Sequence, residues 1–113
     1  MNIQIFGSKK SSDSRKAERW FKERRIKFQY IDLTEKGLSK GELASVAQAV
    51  GGYEALIDPG AKDAYAVALA QHTPAAMLPG VLLENQQVLR APIVRNGRQA
   101  TVGYAPDVWK GWE

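Results

Sequence analysis

The sequence predicts one α/β domain built on a mixed sheet of about four strands flanked by helices. Its first 34 residues have a strand–helix–strand pattern, residues 35–87 have helical character, and strand composition returns after residue 87. In a strand–helix–strand unit of this length the two strands are expected to be parallel, with a right-handed crossover. With 113 residues, 44% hydrophobic and 25% charged, the chain is typical of a single globular domain.

The first predicted strand, residues 2–6, leads through a serine-rich loop into a helix predicted at about 12–25. Ala17, Trp20 and Phe21 have the i, i+3, i+4 spacing of a buried helix face. Short polar side chains suit the helix N-cap, because their oxygens accept from free N–H groups of the first turn. The N-cap candidates are Ser12, Asp13 and Ser14.

A second strand, predicted at residues 26–33, leads into a block of helices. Ser39 and Glu42 form a capping box, in which each side chain bonds the backbone N–H of the other. The helix that they begin is expected at about 40–50 and should stop at Gly51-Gly52. Further helical segments are predicted around breaks at Pro59-Gly60 and Pro79: residues 53–58, 62–71 and 80–86.

Strand composition returns at residues 88–95, although Pro92 argues against an ordinary central strand there. Asn96-Gly97 is a hairpin signal, since Asn and Gly tolerate the left-handed φ of the favoured two-residue turns. A returning antiparallel strand is predicted at about 100–104, and a short helix at 107–111 closes the fold.

The absence of cysteine is the most restrictive feature of the composition. It excludes disulfides, cysteine-ligated metals and thiol redox chemistry. The single histidine, His72, belongs to no recognisable triad or metal motif, so neither a metal nor a cofactor is expected. No apolar run approaches membrane length and no signal peptide is recognised, so we expect a cytoplasmic protein without membrane contact.

Positive charge is concentrated in the first loop and helix. Residues 9–27 contain nine Lys or Arg and three acidic residues, a net charge of +6, whereas the remainder of the chain carries −2. Such a face can attract an acidic protein surface or, as the weaker expectation, nucleic acid. The candidate residues are Arg19, Lys22, Arg24 and Arg25. The alternative interpretation is a solvated helix face that keeps the protein soluble.

Several short segments, in order, resemble the arsenate reductase (ArsC)-like family and its Spx-type branch of transcription regulators. They are Ser14-Arg15-Lys16-Ala17, Arg90-Ala91-Pro92-Ile93-Val94, Val102-Gly103-Tyr104 and Pro106-Asp107-Val108-Trp109. The resemblance implies a thioredoxin-like fold in which residues 1–34 and 88–113 form the sheet core and residues 35–87 form a helical insertion. It also implies a cis peptide bond before Pro92, next to the active loop.

The same resemblance implies that the family's catalytic groups are missing. The attacking cysteine aligns with Ser11, and the second cysteine of the Spx-type Cys-x-x-Cys switch aligns with Ser14. Three arginines that hold the family's oxyanion have no counterpart, and their positions fall at or near Asp58, Ala91 and Tyr104. Arg90, one position away, could substitute in part. A serine nucleophile needs a base and none is recognised, so no catalytic residue is expected and the sequence leans against enzyme activity.

Two functions therefore follow from the sequence. The first is a monomeric, redox-inactive protein-interaction or transcription-regulatory module that binds an acidic surface such as an RNA polymerase subunit. The resemblance adds Gly52 to its partner-binding candidates, although a glycine there can simply end a helix. The second is an arsenate reductase-like relative that still binds an oxyanion or glutathione at the helix N-terminus. Its anion-binding candidates are Ser11, Ser12, Ser14, Arg15 and Arg90, and capping alone would also explain the serines.

Overall fold

The computed structural model describes residues 1–112 and contains a mixed four-stranded sheet. The elements in chain order are β1 (Ile3–Gly7), α1 (Ser12–Glu23), β2 (Phe28–Asp32), α2 (Lys40–Val50), a 3₁₀ turn (Tyr53–Leu56), α3 (Ala64–His72), α4 (Leu78–Glu84), a second 3₁₀ turn (Gln86–Val88), β3 (Ile93–Asn96), β4 (Gln99–Val102) and α5 (Pro106–Lys110). The strand order is β2-β1-β3-β4. β1 and β2 are parallel, and β3 is antiparallel to both β1 and β4. The predicted mixed α/β sheet is confirmed.

The two faces of the sheet bury different kinds of side chain, because successive residues of a strand point to opposite faces. Ile3 and Ile5 pack with the aromatic residues of α1 and α5, and we call this the α1 side. Phe6 packs instead with the aliphatic residues of α2, α3 and α4, and we call this the insertion side. Both clusters are buried, so the sheet is covered on each face.

The C-terminal end of α1 corrects the predicted boundary, since the helix ends at Glu23 rather than at about residue 25. Arg25 adopts a left-handed φ of 57° and its N–H bonds to the Lys22 carbonyl, while Ile26 N–H bonds to the Phe21 carbonyl. This pair of bonds is a Schellman motif, which turns the chain out of the helix. The second strand consequently starts at Phe28, two residues later than predicted.

The third strand is shorter than predicted, covering Ile93–Asn96 instead of residues 88–95. Pro92 carries no N–H and lies directly before the strand, so the ladder begins only after it. The hairpin between β3 and β4 is confirmed, but its two loop residues are Gly97 and Arg98, because Asn96 still pairs with Gln99. Gly97 supplies a left-handed φ of 61° at the first loop position, as type II′ turns require.

The helical insertion contains the predicted helices with shifted ends. α2 covers Lys40–Val50 with both hydrogen bonds of the capping box, as expected. α3 begins two residues later than predicted, because the Asp63 carboxylate accepts from Ala66 N–H and caps it. α4 begins at Leu78, earlier than predicted, with Pro79 in its first turn, where a missing N–H costs nothing. Within residues 1–112, none of the helices has the length and apolar character needed to cross a bilayer.

Candidate functional site

The loop between β1 and α1 ends at Ser11, which is the N-cap of α1. Its Oγ accepts from Ser14 N–H at 3.1 Å and lies 3.5 Å from the Ala91 carbonyl oxygen, to which it donates. The N-cap is therefore one residue earlier than the three predicted candidates. The contact with Ala91 joins the loop to the segment before β3, where the Ala91–Pro92 peptide bond is cis.

Ser14, in the first turn of α1, is hydrogen-bonded to the start of the loop. Its side chain is fully buried, and its Oγ accepts from Ser8 N–H at 3.2 Å. Gly7 lies against it, since a Cβ built on Gly7 would be 2.9 Å from Ser14 Oγ and 2.8 Å from Tyr30 Oη. Burial raises the pKa of Tyr30, and nearby Glu18 and Asp32 raise it further. Ser14 thus acts as a packing and hydrogen-bonding residue of the loop.

Three further donors near the loop are also bonded within it. Ser11 N–H donates to the Ser8 carbonyl at 3.0 Å, and Lys10 N–H donates to Ser8 Oγ at 3.3 Å. The Arg15 guanidinium donates back to the Lys9 carbonyl. Asp13 adds a carboxylate to the first turn of α1, where it competes with an external anion for the helix N-terminus. These contacts use the N–H groups of Lys10, Ser11 and Ser14 within the loop itself.

A cleft of about 660 Å³ lies beside this loop and reaches the insertion. Its volume is in the range of small-molecule sites. Ser8, Lys10, Ser11 and Ala91 form one wall, and the insertion contributes Asp58, Lys62, Asp63, Gln86 and Gln87 to the other. Hydrogen bonds from Ala66 N–H and the Gln87 side chain lower the pKa of Asp63, which favours its charged form. The cleft therefore presents both positive and negative groups.

Arg90 does not line the main cleft, although Leu89 and Ala91 on either side of it do. It lines a neighbouring hollow of about 330 Å³ together with Asp13 and Asp58, and its Nε donates to the Ala55 carbonyl at 3.2 Å. The structure thus brings Ser11, Ser14 and Ala91 together, while Arg15 and Arg90 are each turned toward a backbone carbonyl. Ser12 is exposed in the first turn of α1.

The basic residues of α1 form an exposed surface. Arg15, Arg19 and Lys22 have i, i+4, i+7 spacing and are solvent-exposed, so they lie on one stripe of the helix. Lys22 is 3.7 Å from the Glu18 carboxylate, an exposed pair of small energetic weight. The Arg24 guanidinium stacks 4.0 Å from the centre of the Trp20 ring and donates to the Trp20 carbonyl. Arg24 and Arg25 follow the last helical residue, and Arg24 lies on the Trp20 side of α1, outside this stripe. We call the five exposed residues Arg15, Arg19, Lys22, Arg24 and Arg25 together the basic face.

Gly52 lies at the end of α2, on the insertion. Its φ of 140° and ψ of 164° belong to a region that glycine alone adopts readily. A Cβ built there would also be 2.8 Å from a Glu54 carboxylate oxygen. Backbone conformation is thus sufficient to account for glycine at this position.

The insertion wall of the cleft was not anticipated from the sequence. Asp63 had a usable signal, since an aspartate directly before an alanine-rich segment suits an N-cap. Gln86 had none: its side chain bonds both the N–H and the carbonyl of Leu38, each at 2.8 Å, across 48 residues of sequence. Within residues 1–112, the His, Asp and Glu side chains form no group of three that could hold a metal ion.

The mixed sheet, the helix that begins at the Ser11 loop and the proline next to that loop together define a thioredoxin-like domain. A model of the ArsC family matches residues 6–112 of the chain. The protein therefore belongs to the ArsC family, and it does so without any cysteine.

Solved structures support the same fold. An arsenate reductase from Vibrio cholerae superposes with a TM-score of 0.80 at 23% identity, over 96% of this chain and 94% of that one. A protein from Bacteroides fragilis described as related to the ArsC family superposes with a TM-score of 0.84 at 17% identity, over 100% of this chain and 98% of that one. An arsenate reductase related protein from Brucella melitensis superposes with a TM-score of 0.64 at 19% identity, over 99% of this chain and 94% of that one. A comparison with curated proteins found no match.

Proposed function

We propose that this protein is a redox-inactive member of the ArsC family that acts as a protein-interaction or transcription-regulatory module. Its partner presents an acidic surface, and an RNA polymerase subunit is the candidate that the Spx-type resemblance suggests. The observation that carries the proposal is the basic face of α1, which is exposed while the thiol chemistry of the family is absent.

The chemistry of the basic face suits protein recognition. Arg24 is held in place by its stacking on Trp20, so part of its side-chain entropy is already lost before a partner binds. Arginine fits carboxylates through two parallel hydrogen bonds, which gives geometric specificity as well as charge. Arg25 is exposed next to it in the chain, and Arg19 is exposed on the stripe that it shares with Arg15 and Lys22, so both can extend the contact.

The state of the Ser11 loop is consistent with this proposal. A hydroxyl replaces the family thiol, the loop N–H groups of Lys10, Ser11 and Ser14 are bonded internally, and Asp13 occupies the helix N-terminus. A nucleophilic serine would need a base within hydrogen-bond reach. His72 is on the insertion and contacts the Ala68 carbonyl, so it does not serve the loop.

The test is a charge reversal on the basic face. The triple variant Arg19→Glu, Lys22→Glu, Arg25→Glu leaves Arg24 and its packing on Trp20 intact. A matched control, Lys36→Glu, Lys40→Glu, Arg98→Glu, makes the same change of charge at exposed positions away from α1. Binding of each protein to a purified bacterial RNA polymerase alpha subunit is measured by calorimetry across a salt series, with duplex DNA as a second probe.

We expect the basic-face variant to bind the subunit at least about tenfold more weakly than the control, and binding to weaken as salt increases. Equal loss in both variants would reduce the effect to net charge and would contradict a defined face. Tighter binding to DNA than to the subunit would assign the basic face to nucleic acid instead.

A second candidate function rests on the 660 Å³ cleft. In this alternative the protein is an arsenate reductase-like relative that binds an oxyanion or glutathione beside Ser11, with Lys10 and Lys62 as the positive groups. An NMR titration with arsenate, phosphate and glutathione, following the amides of residues 8–15 and 58–63, tests this function. Shifts confined to those amides at sub-millimolar ligand, on both walls of the cleft, support it, whereas unchanged spectra at several millimolar ligand contradict it.

A further inference from the structure

The insertion carries an exposed apolar surface in a stretch without charge. Residues 64–83 contain no Lys, Arg, Asp or Glu. Three large side chains of this stretch are exposed: Tyr65 by 82%, Leu69 by 42% and Met77 by 63%. Small residues surround them, and Ala64 and Ala68 are exposed on the same helix. Six residues of α3 are exposed, and we call five of them (Ala64, Tyr65, Ala68, Leu69 and His72) the α3 face; the sixth is Gln71.

The α3 face is self-complementary in shape, because a row of large side chains lies next to a row of small ones. Tyr65 and Leu69, four residues apart, form a ridge along α3, and Ala64 and Ala68 form a shallow row beside it. Rows spaced by four residues interdigitate when two helices cross at roughly −50°. Two copies of α3 related by a two-fold axis can therefore place the ridge of each copy over the alanine row of the other.

The distribution of charge also favours a second copy of this chain as the binding partner of the α3 face. The chain has a net charge of +4, and its positive residues are concentrated on α1, which packs on the opposite side of the sheet from α3. Two copies that meet through α3 keep their basic faces at the far ends of the assembly. Other orientations would bring like charges closer together, at a cost in free energy.

A polar pair completes the contact. His72 Nδ1 lies 2.8 Å from the Ala68 carbonyl oxygen. Because a carbonyl oxygen only accepts, Nδ1 of the neutral ring carries the hydrogen, and Nε2 remains an acceptor. A two-fold axis between Ala68 and Leu69 places Tyr65 of one copy opposite His72 of the other, so the Tyr65 hydroxyl can donate to Nε2.

We propose that the α3 face is a homodimer interface, on which a second copy of this chain packs antiparallel through Tyr65, Leu69 and His72. A stable interface needs roughly 800 Å² from each partner, which about 20–30 residues supply. The α3 face has five residues on one helix of 9 residues, so it falls well below that size. The dimer is therefore weak and reversible, and a monomer prevails in dilute solution.

The test is sedimentation equilibrium of the full chain from about 10 µM to about 1 mM. The variant Leu69→Lys places two like charges across the two-fold axis, and Val108→Lys is its control. Val108 has a similar exposure of 49% but lies on α5, on the α1 side. We expect a monomer–dimer equilibrium whose dissociation constant increases at least tenfold in Leu69→Lys and is unchanged in Val108→Lys. Tyr65→Phe removes two symmetry-related hydrogen bonds to His72 per dimer, so it should weaken the dimer at least about fivefold.

Salt separates this interface from the basic face. An uncharged contact should keep its dissociation constant within about twofold between 50 and 500 mM NaCl, whereas binding through the basic face should weaken. A chain that stays monomeric at about 1 mM overturns the proposal, even if another protein binds α3. A dimer that Val108→Lys disrupts as strongly as Leu69→Lys overturns it as well, since the contact would then use another surface.

Discussion

The two sides of the sheet are built from different material. The α1 side concentrates its packing in a few aromatic rings: the centre of the Trp109 ring lies 5.4 Å from that of Trp20 and 5.0 Å from that of Phe21. The insertion side spreads its packing over many aliphatic and alanine side chains from α2, α3, α4 and both 3₁₀ turns. The outer surfaces differ too, since α1 is basic and α3 carries no Lys, Arg, Asp or Glu.

On the α1 side this difference separates the residues that provide packing from the residues that carry exposed charge. Large rings bury much apolar area each, so a few positions suffice to anchor α1 and its remaining surface can be given over to charge. On the insertion side each residue contributes less, and short helices of small residues leave apolar atoms at the surface. A family fold that has lost its thiol thus still offers two unlike surfaces, one electrostatic and one apolar.

The largest expected effect tests the concentration of packing on the α1 side. Trp109 is fully buried, and its Nε1 donates to Thr101 Oγ1 at 2.8 Å. Trp109→Ala should lower the free energy of unfolding by about 3–5 kcal/mol, through a large cavity and an unpaired buried hydroxyl. Leu82→Ala, fully buried on the insertion side, should cost about 2–3 kcal/mol. Urea unfolding measures both, and an equal or greater loss for Leu82→Ala would contradict the comparison.

The sequence predicted the buried face of α1 better than it predicted the insertion wall of the cleft, for physical reasons. The helical spacing of Trp20 and Phe21, together with their size, fixes the buried face of α1 locally. The cleft wall depends on contacts distant in sequence, such as the side chain of Gln86 on the backbone of Leu38, which no local pattern encodes. The same holds for Arg90, whose direction is set by the Ala55 carbonyl rather than by its place beside the proline.

Strand and helix ends were predicted less well where the backbone leaves its common conformations. The end of α1 differs from the prediction because Arg25 adopts a left-handed φ, a conformation that is expected of glycine. The hairpin moved by one residue because Asn96 stays in the ladder and Gly97 begins the loop. In contrast, α2 was placed correctly, since both its capping box and its terminal glycine are local signals.

A pair of glycine substitutions sharpens the contrast between the two sides. Gly7→Ala would place a methyl group 2.9 Å from the buried Ser14 Oγ and 2.8 Å from Tyr30 Oη, so it should cost about 1–3 kcal/mol of stability. Gly80 lies in α4 with nothing within 4 Å of an added Cβ, so Gly80→Ala should stabilise by about 0.5–1 kcal/mol. Thermal unfolding of both variants provides the measurement. A neutral Gly7→Ala would mean that the Ser14 loop can move away from β1.

The capping box of α2 gives a smaller effect with a defined pH dependence. The Ser39 backbone N–H lowers the pKa of Glu42 below its usual 4.5. The folded state therefore binds fewer protons than the unfolded state, so this contribution is present above about pH 4.5 and is lost as the pH falls through the lowered pKa. Ser39→Ala should cost about 1 kcal/mol at neutral pH.

The capping box can also be altered at Glu42 instead of Ser39. Glu42→Gln should flatten the decline of stability below about pH 4.5, because the titrating group is gone while a neutral acceptor oxygen remains. Urea midpoints measured from about pH 7 to pH 3 test this, with Glu35→Gln, an exposed residue of the preceding turn, as the control. An identical decline in Glu42→Gln and Glu35→Gln would show that the box does not contribute to acid sensitivity.

The smallest expected effect concerns the C-terminal ends of α1 and α2, where the chain leaves each helix through a residue with a left-handed φ. α2 ends with Gly51 at a φ of 95°, while α1 turns at Arg25 with a φ of 57°. A left-handed conformation costs a residue with a Cβ about 1 kcal/mol, a penalty that glycine avoids. Under the proposed function Arg25 contributes its charge to the basic face, so substitution can separate that charge from the backbone strain.

Arg25→Gly should consequently raise the free energy of unfolding by about 0.5 kcal/mol while weakening binding of the RNA polymerase alpha subunit by about threefold. Arg25→Lys keeps both the strain and the charge, so it should leave stability unchanged and binding nearly so. Urea unfolding and calorimetry on the same preparations measure the two quantities. Stabilisation without loss of binding would remove Arg25 from the basic face. Destabilisation would mean that its side chain packs favourably enough to offset the backbone strain, and the contrast between the helix ends would then lie in packing rather than in function.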